Sequence, residues 1–600
     1  MITRQVPLVV IVLYVCTPGA AGPAVAQPSA AHRSAASKSL TSARQAGSHR
    51  SAAPSGGDTN RRPVSSRNAA PAGVLTANWI GPATGGLWSD PANWDTVEFP
   101  NNGNGALTYN VVIISEIFDP TVINLDTHVE IGALFLRGTL DAQSGPANLV
   151  VNGLFELQGS LLGPGTTTAK GGMIDPTLSA TINIGGGRVL ENAGTATFRT
   201  PAGINIIGGS QLNNLAGGAI NLQTFVLTNT GGELNNFGLL FTETCCHNTQ
   251  GVFHNYGVVD VRTGASLTIF STGTHRGEFR VAQGSTLSFE AELGTVDFTA
   301  TSDITGSGNV LFGSSFGISA TTMNVSGRFS LTGTATVAIP VLNFATAPTS
   351  AGFTLDIPGF SGLPSVVSFE SGLPSLIELT LASRRELRVL GDANVSGPVL
   401  WDGTMSGTGT TTTDGPVRAV RGLTLDGRRL IANGGFLWQG SDFVLDNGAL
   451  FENATGSTWD IELSRRIRLI TTDTPLNPGR IINSGLVTQT ASAPAHVMTD
   501  WQQTATGVTN AESLSFFGNT DISGTVIVPA GFRSTMTFAG PDTGTTISHR
   551  LNADSTLMVQ GTVSVGEQFA LGADIIDAEF GGTMDFTDSS ATLEVRGANT

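Results

Sequence analysis

The sequence predicts an all-β chain, a β-solenoid of about 20 residues per rung arranged as two tandem modules. Three observations predict it: a turn-rich composition, an Asn-x-Gly corner that returns about every twenty residues, and a longer duplication laid over that short period. Glycine supplies 76 of 600 residues, well above the usual ~7%. Charged residues make up only 13%, about half the ordinary share. Abundant Thr, Val, Ile, Leu and Phe then favour short strands joined by many turns. A chain this long exceeds one compact core, so several domains or one elongated array are expected.

The N-terminus reads as a signal peptide over 1–26. Arg4 gives the positive start, "VPLVVIVLYV" the apolar segment, and Ala24-Val25-Ala26 a small-x-small cleavage site. A lipoprotein signal ending at Cys16 fits less well, because Val15 is bulky where a small residue is wanted. The chain is therefore expected to be exported, either secreted or held at a bacterial cell surface. No later apolar run is long enough for a membrane-spanning helix.

Residues 27–76 carry Ala, Ser, Arg, Gly and Pro with almost no large apolar group, and are expected to be a disordered linker. Seven Arg and Lys face one acid there, Asp58, for a net charge of +6. A contact with an acidic polymer would suit this arm, but a solvated tether explains it as well. The remaining body is strongly acidic, which excludes a nucleic-acid partner.

Residues 77–144 form a Trp-rich N-terminal cap with the first rungs. In "NWIGPATGGLWSDPANWDTVEFP", Trp79, Trp88 and Trp94 cluster with Gly85-Gly86 and Asn93. A carbohydrate-stacking platform is one reading; a plug over the apolar end of the first rung is the favoured one.

The first module, 145–388, holds the short period. Asn192, Asn214, Asn236 and Asn255 each precede a glycine by two or three residues, at steps of 22, 22 and 19. Stacked rungs place such residues in a column ~4.8 Å apart. Asn is expected at a left-handed corner, its amide bonded to those above and below. Glycine would relieve strain at the same corner. Phe237 above Leu215, and Tyr256 above Phe237, would then stack in the interior.

The second module, 389–600, repeats the first. "NGLFELQGSLLGPGTTT" (152–168) matches "SGPVLWDGTMSGTGTTT" (396–412), with Gly153, Gly159, Gly163 and Gly165 falling on Gly397, Gly403, Gly407 and Gly409. "GGRVLENAG" matches "DGRRLIANG", which sets Asn192 on Asn433. Asn214 answers Asn453 and Asn236 answers Asn483, after an insertion bearing Arg465, Arg466 and Arg468. The copy breaks off at Thr600, so this module is expected to be incomplete, with a piece of a longer protein favoured over a shortened repeat.

The Trp segment resembles the W-x-G…G-x-W-S…N-W opening motif of large bacterial secreted and surface β-solenoid proteins, which are similar to autotransporter passengers and filamentous-haemagglutinin-like adhesins. "GTGTTTTDG" and "LIANGGFLWQGSDFVLDNGALFEN" resemble their repeats. The resemblance covers most of 77–600 and implies a right-handed parallel β-helix outside the cell. It carries over no catalytic residue, and no membrane barrel or anchor is recognisable in this sequence.

A search for chemistry yields no catalytic, cofactor-binding or metal-ligating residue. Hydrolases on a β-helix need paired carboxylates, whereas Asp402, Asp426, Asp446 and Asp460 fall one per strand or turn. A lyase needs a basic residue beside bound Ca²⁺, and Lys170 is the one lysine of the body. His128, His247, His254, His275, His496 and His549 are scattered. Cys245, Cys246 and His247 are consecutive and cannot easily converge on one ion, so two thiols or a vicinal disulfide are expected. The function expected is a structural scaffold, adhesin-like or of an extracellular matrix, presenting long Thr, Asn and Ser faces to a polysaccharide or to cell-surface glycans. The alternative is a polysaccharide lyase or glycoside hydrolase, which would require carboxylates, or an arginine with carboxylates, to converge in one groove.

Overall fold

The computed structural model describes residues 73–586, apart from short segments of which 115–120, 175–180, 314–319, 359–364, 471–478 and 539–548 are the longest. The expected signal peptide and nearly all of the expected linker, with Cys246, Arg465 and Arg466, lie outside the described residues. The fold is a parallel β-solenoid of about 21 residues per turn.

Up to Arg328–Leu331 the turns visit three faces in the same order. One turn runs through Ser160–Leu162, Gly165–Ala169 and Met173–Ile174; the next through Ile182–Ile184, Arg188–Asn192 and Thr195–Phe198. Strands of successive turns pair parallel and in register, as with Thr167 on Leu190 and Leu190 on Leu212. One face forms a separate twelve-strand sheet from Val74–Asn78 to Arg328–Leu331. The first strand starts ahead of the expected boundary at 77, because Val74 and Leu75 pair with Thr108 and Tyr109.

Parallel sheets are usually covered on both sides and read as continuous apolar runs. A coiled sheet covers only its inner side, so side chains alternate between core and solvent. Arg188–Asn192 shows this, with residues 188, 190 and 192 buried and 189 and 191 half-buried. The inward positions pack into a single apolar core along the coil.

That alternation places the repeated asparagines inside. Leu212 and Asn214 share one face, as do Leu234 and Asn236, and Asn192, Asn214, Asn236 and Asn255 are fully buried. Their amides form the expected ladder: Nδ2 of Asn192, Asn214 and Asn236 donates to Oδ1 of the next asparagine at 2.9, 2.8 and 2.8 Å. Each Nδ2 also reaches a main-chain carbonyl, of Ala219, Leu239 and Val258 respectively.

Three details of the expected corner are corrected. The ladder asparagines are strand residues with ordinary backbone; Asn447 is the positive-φ asparagine among the described residues. The aromatic column lies outside, since the residue after each buried asparagine points outward. Phe237 and Tyr256 are 43% and 37% exposed and stack at 4.8 Å with planes 7° apart. The glycines are required by closeness to the rung beneath. A Cβ on Gly257 would sit 2.1 Å from the carbonyl oxygen of Gly238, and one on Gly238 would sit 2.2 Å from that of Gly218.

The second copy has its own ladder, Asn453 to Asn483 at 2.9 Å and Asn483 to Gln503 at 3.2 Å. It lies on a different face. The strand of Asn192 leads by register through Asn255 to His275, Phe298 and Phe344, whereas that of Asn453 stacks on Ala432 and Thr413. The expected pairing of Asn192 with Asn433 shifts by one. Thr167 pairs with Leu190 and Thr411 with Leu430, so the counterpart of Asn192 is the buried Ala432, while Asn433 is exposed and bonds Asp414.

Two buried arginines mark the same equivalence. Arg188 Nε donates to Thr167 Oγ1, and its Nη1 to the carbonyls of Ala147 and Pro164. Arg428 Nε donates to Thr411 Oγ1, with its Nη1 on Val389 and Thr408 and its Nη2 on Gly391. Each ties its own rung to the two beneath. Burial lowers both guanidinium pKa values to about 10, which leaves them charged at neutral pH.

At the N-terminal end, Trp88 and Trp94 are buried, and Trp79 packs against the core. Trp94 Nε1 donates to the Trp88 carbonyl at 2.8 Å, and the rings of Trp79 and Trp88 meet Trp94 edge-on at 5.2 and 4.8 Å. The rings of Trp88 and Trp94 are buried in the core and offer no face to a sugar, and Trp79 is partly buried against them.

Candidate binding face

The face that carries the first ladder inside carries polar side chains outside. Register leads from Thr168 through Glu191, Asn213 and Asn235 to His254, then from Thr274 through Asp297, Asn324, Asn343 and Ser368 to Arg388, and on through Ser406 and Asp426 to Asp446. Many of these groups bond their neighbours one rung away. Thr168 donates to Glu191 at 2.9 Å, Asn235 to Asn213 at 3.0 Å, Asn324 to Asp297 at 2.8 Å and Asn343 to Asn324 at 3.0 Å. An outer amide spends one N–H on its neighbour and keeps a second that can meet a hydroxyl. Asp297, Asn324, Asn343 and Glu370 line one shallow groove on this strip.

The exposed aromatic pair is less suited to sugar. Phe237 and Tyr256 cover one another's faces, and the Arg276 guanidinium lies over Tyr256 at 5.9 Å from the ring centroid. Tyr256 is thus flanked by Phe237 on one side and approached by Arg276, which leaves little open ring face there.

The structure brings together carboxylates that spacing alone separates. Asp426 and Asp446 are register neighbours. Asp392 and Asp414 line a second groove with Asn394, Thr410 and Thr412. In a third groove, Asp500 and Asp521 meet Arg480 and Arg550 together with Gln502 and Asn519. There Arg480 stands beside Asp500 on the neighbouring rung, and Asp521 beside Arg550. Asn519 donates to Asp500 Oδ1 through both its main-chain N–H and its amide, at 3.2 and 2.9 Å.

Two further acids are perturbed. Burial, then the nearby charge of Glu378, raises Asp356. Burial also raises Asp402, opposed by Arg421, whose Nε is 3.8 Å away. Asp460 accepts from Thr488 at 3.1 Å. Sequence reasoning missed all these neighbours, because uneven turns put residues 17 to 30 positions apart side by side.

The other candidates stay apart. Lys170 Nζ donates to Asn152, which donates to Glu130, an outer ladder of its own. His128 and His254 accept main-chain N–H groups of Asn148 and Thr274. His247 bonds Thr244 at 2.6 Å, and burial lowers its pKa. Cys245 is an exposed free thiol. Among the described residues no three His, Cys, Asp or Glu side chains are grouped to hold a metal ion.

No family model matches the chain, and no curated protein or solved structure matches it. Fold and surface chemistry therefore carry the functional reading. No helix among the described residues is long and apolar enough to cross a membrane.

Proposed function

We propose that the protein is an exported structural scaffold, adhesin-like or part of an extracellular matrix, that lays an extended polar face against polysaccharide or cell-surface glycans. The observation that carries this is the polar column in two register runs, Glu191 to His254 and Thr274 to Asp446, which repeats carboxylates, amides and hydroxyls at the rise of the rungs. Many weak contacts along such a strip add up through effective concentration, without a deep pocket. The N-terminal sequence supports export, and the resemblance of the Trp segment supports a bacterial surface origin.

The test is binding of the full chain to a glycan array and to cell surfaces. Asn324→Ala with Asn343→Ala should weaken any retained glycan several-fold, leaving the fold intact by circular dichroism. Absence of surface binding, together with turnover of a polysaccharide, would overturn the scaffold reading.

A carbohydrate-active enzyme is the second reading, favoured by one observation. The groove of Arg480, Asp500, Asp521 and Arg550 gathers two carboxylates and two arginines, a set able to hold an acidic sugar and supply acid and base. Loss of polysaccharide cleavage in Asp500→Asn and Asp521→Asn would establish it; no cleavage by the wild-type chain would remove it.

A further inference from the structure

The inner ladder ends in an unusual residue. The register partner of Asn255 on the next rung is His275, which is fully buried. Among the described residues, neither ring nitrogen of His275 has a hydrogen-bond partner. Asn255 cannot supply one by its donor, since its Nδ2 is directed to the Glu278 carbonyl at 3.1 Å. The imidazole is instead boxed by Phe253, Phe279, Phe289 and Phe298, with ring centroids at 5.7, 5.2, 6.1 and 5.0 Å. Beyond it the same inward column is apolar, running through Phe298 and Val325 to Phe344.

A buried polar group without partners costs stability even when neutral, and a buried cation without partners costs far more. Among the described residues no ion pair involves His275. On the surrounding strands, Glu278 pairs with Arg280, Asp260 with Arg262, and Asp303 with Arg328, all on the outer side. Asp297 accepts from Asn324, Arg276 lies over Tyr256, and Glu290 follows Phe289 at the far end of its strand. His254, one residue before Asn255, adds a like charge when protonated.

We infer that His275 is an acid-sensitive weak point built into the middle of the solenoid, where protonation opens the rungs between Phe253 and Phe298 while distant rungs stay closed. Burial, and secondarily His254, lowers its pKa in the closed state from 6.5 to about 3. The sign follows directly: the opened segment takes up a proton below its pKa of 6.5, and the closed one does not. Closure is therefore favoured fully above that value and progressively lost as pH falls from there toward about 3. At pH 5 the opening equilibrium should rise about thirty-fold over pH 7.5. The inference does not depend on the proposed glycan contact.

The experiment is hydrogen exchange of the full chain from pH 7.5 to 4.5, corrected for intrinsic rates and read on segments within 252–298 and, as a reference, 423–461. The 252–298 segments should gain protection loss of about thirty-fold at pH 5, with the reference unchanged. His275→Phe, which matches the box, should abolish that difference; His275→Met is the second variant should the larger ring disturb packing. Equal acid response of both regions, or persistence of the difference in a folded His275 variant, would overturn the inference.

Discussion

Removal of a single inner amide tests how the rungs are held. Asn236 accepts from Asn214 and donates to Asn255 Oδ1 and to the Val258 carbonyl. Asn236→Ala therefore leaves two asparagines and one main-chain oxygen short of a partner inside the core. At ~1–3 kcal/mol for each orphaned group, partly offset because Asn214 Nδ2 retains the Leu239 carbonyl, the cost should be about 3–5 kcal/mol. Asn192 is the end member, and its Oδ1 already has no donor. Asn192→Ala orphans the Oδ1 of Asn214 and the main-chain carbonyls of Gly194 and Ala219, and should likewise cost about 3–5 kcal/mol. Outer Asn343→Ala, in reach of water, should cost under about 1 kcal/mol. A solenoid opens locally, so the assay is segment-resolved hydrogen exchange over 182–261 for the inner asparagines and over 320–369 for Asn343. Equal costs at Asn236 and Asn343, or no effect at Asn236, would refute the ladder as a stabilising device.

Other perturbations follow from the same packing. Gly257→Ala drives a methyl into the Gly238 carbonyl and should cost about 3 kcal/mol or more, whereas a Cβ on the turn residue Gly217 meets open space and only its φ of 89° opposes it, costing about 1 kcal/mol; chemical denaturation of the two variants compares them. Arg428→Met removes the donors from the carbonyls of Val389, Thr408 and Gly391 and should cost about 3 kcal/mol, with no rescue by Lys, which lacks the planar fork; exchange over 385–432 reads it. Trp88→Ala should cost about 3–5 kcal/mol and unravel the first rungs before the rest, visible as early protease cleavage between 74 and 137.

Much of the coil was legible in the sequence. A regular spacing of asparagines found the ladder because stacking forces identical residues into columns. Orientation was misread because a shift of one residue exchanges inside and outside. Counting by two from Leu212 and Leu234 places Asn214 and Asn236 inward and Phe237 outward, and that alternation was the available signal. Arg188 and Arg428 were hidden by their charge: both sit two residues before an inward leucine, a position that reads as apolar. The Arg480, Asp500, Asp521 and Arg550 groove was illegible because it depends on register across turns of unequal length.

The central claim is that residues far apart in sequence are stacked one rung per turn. Glu156, Thr197 and Ser330 lie in one outward column, with Ser330 six register steps from Thr197 and eight from Glu156. Spin labels at Thr197 and Ser330 should give a narrow distance near 29 Å, and labels at Glu156 and Ser330 one near 38 Å, at ~4.8 Å per step. Broad distributions, or distances that do not rise with the number of rungs, would contradict the stacked coil.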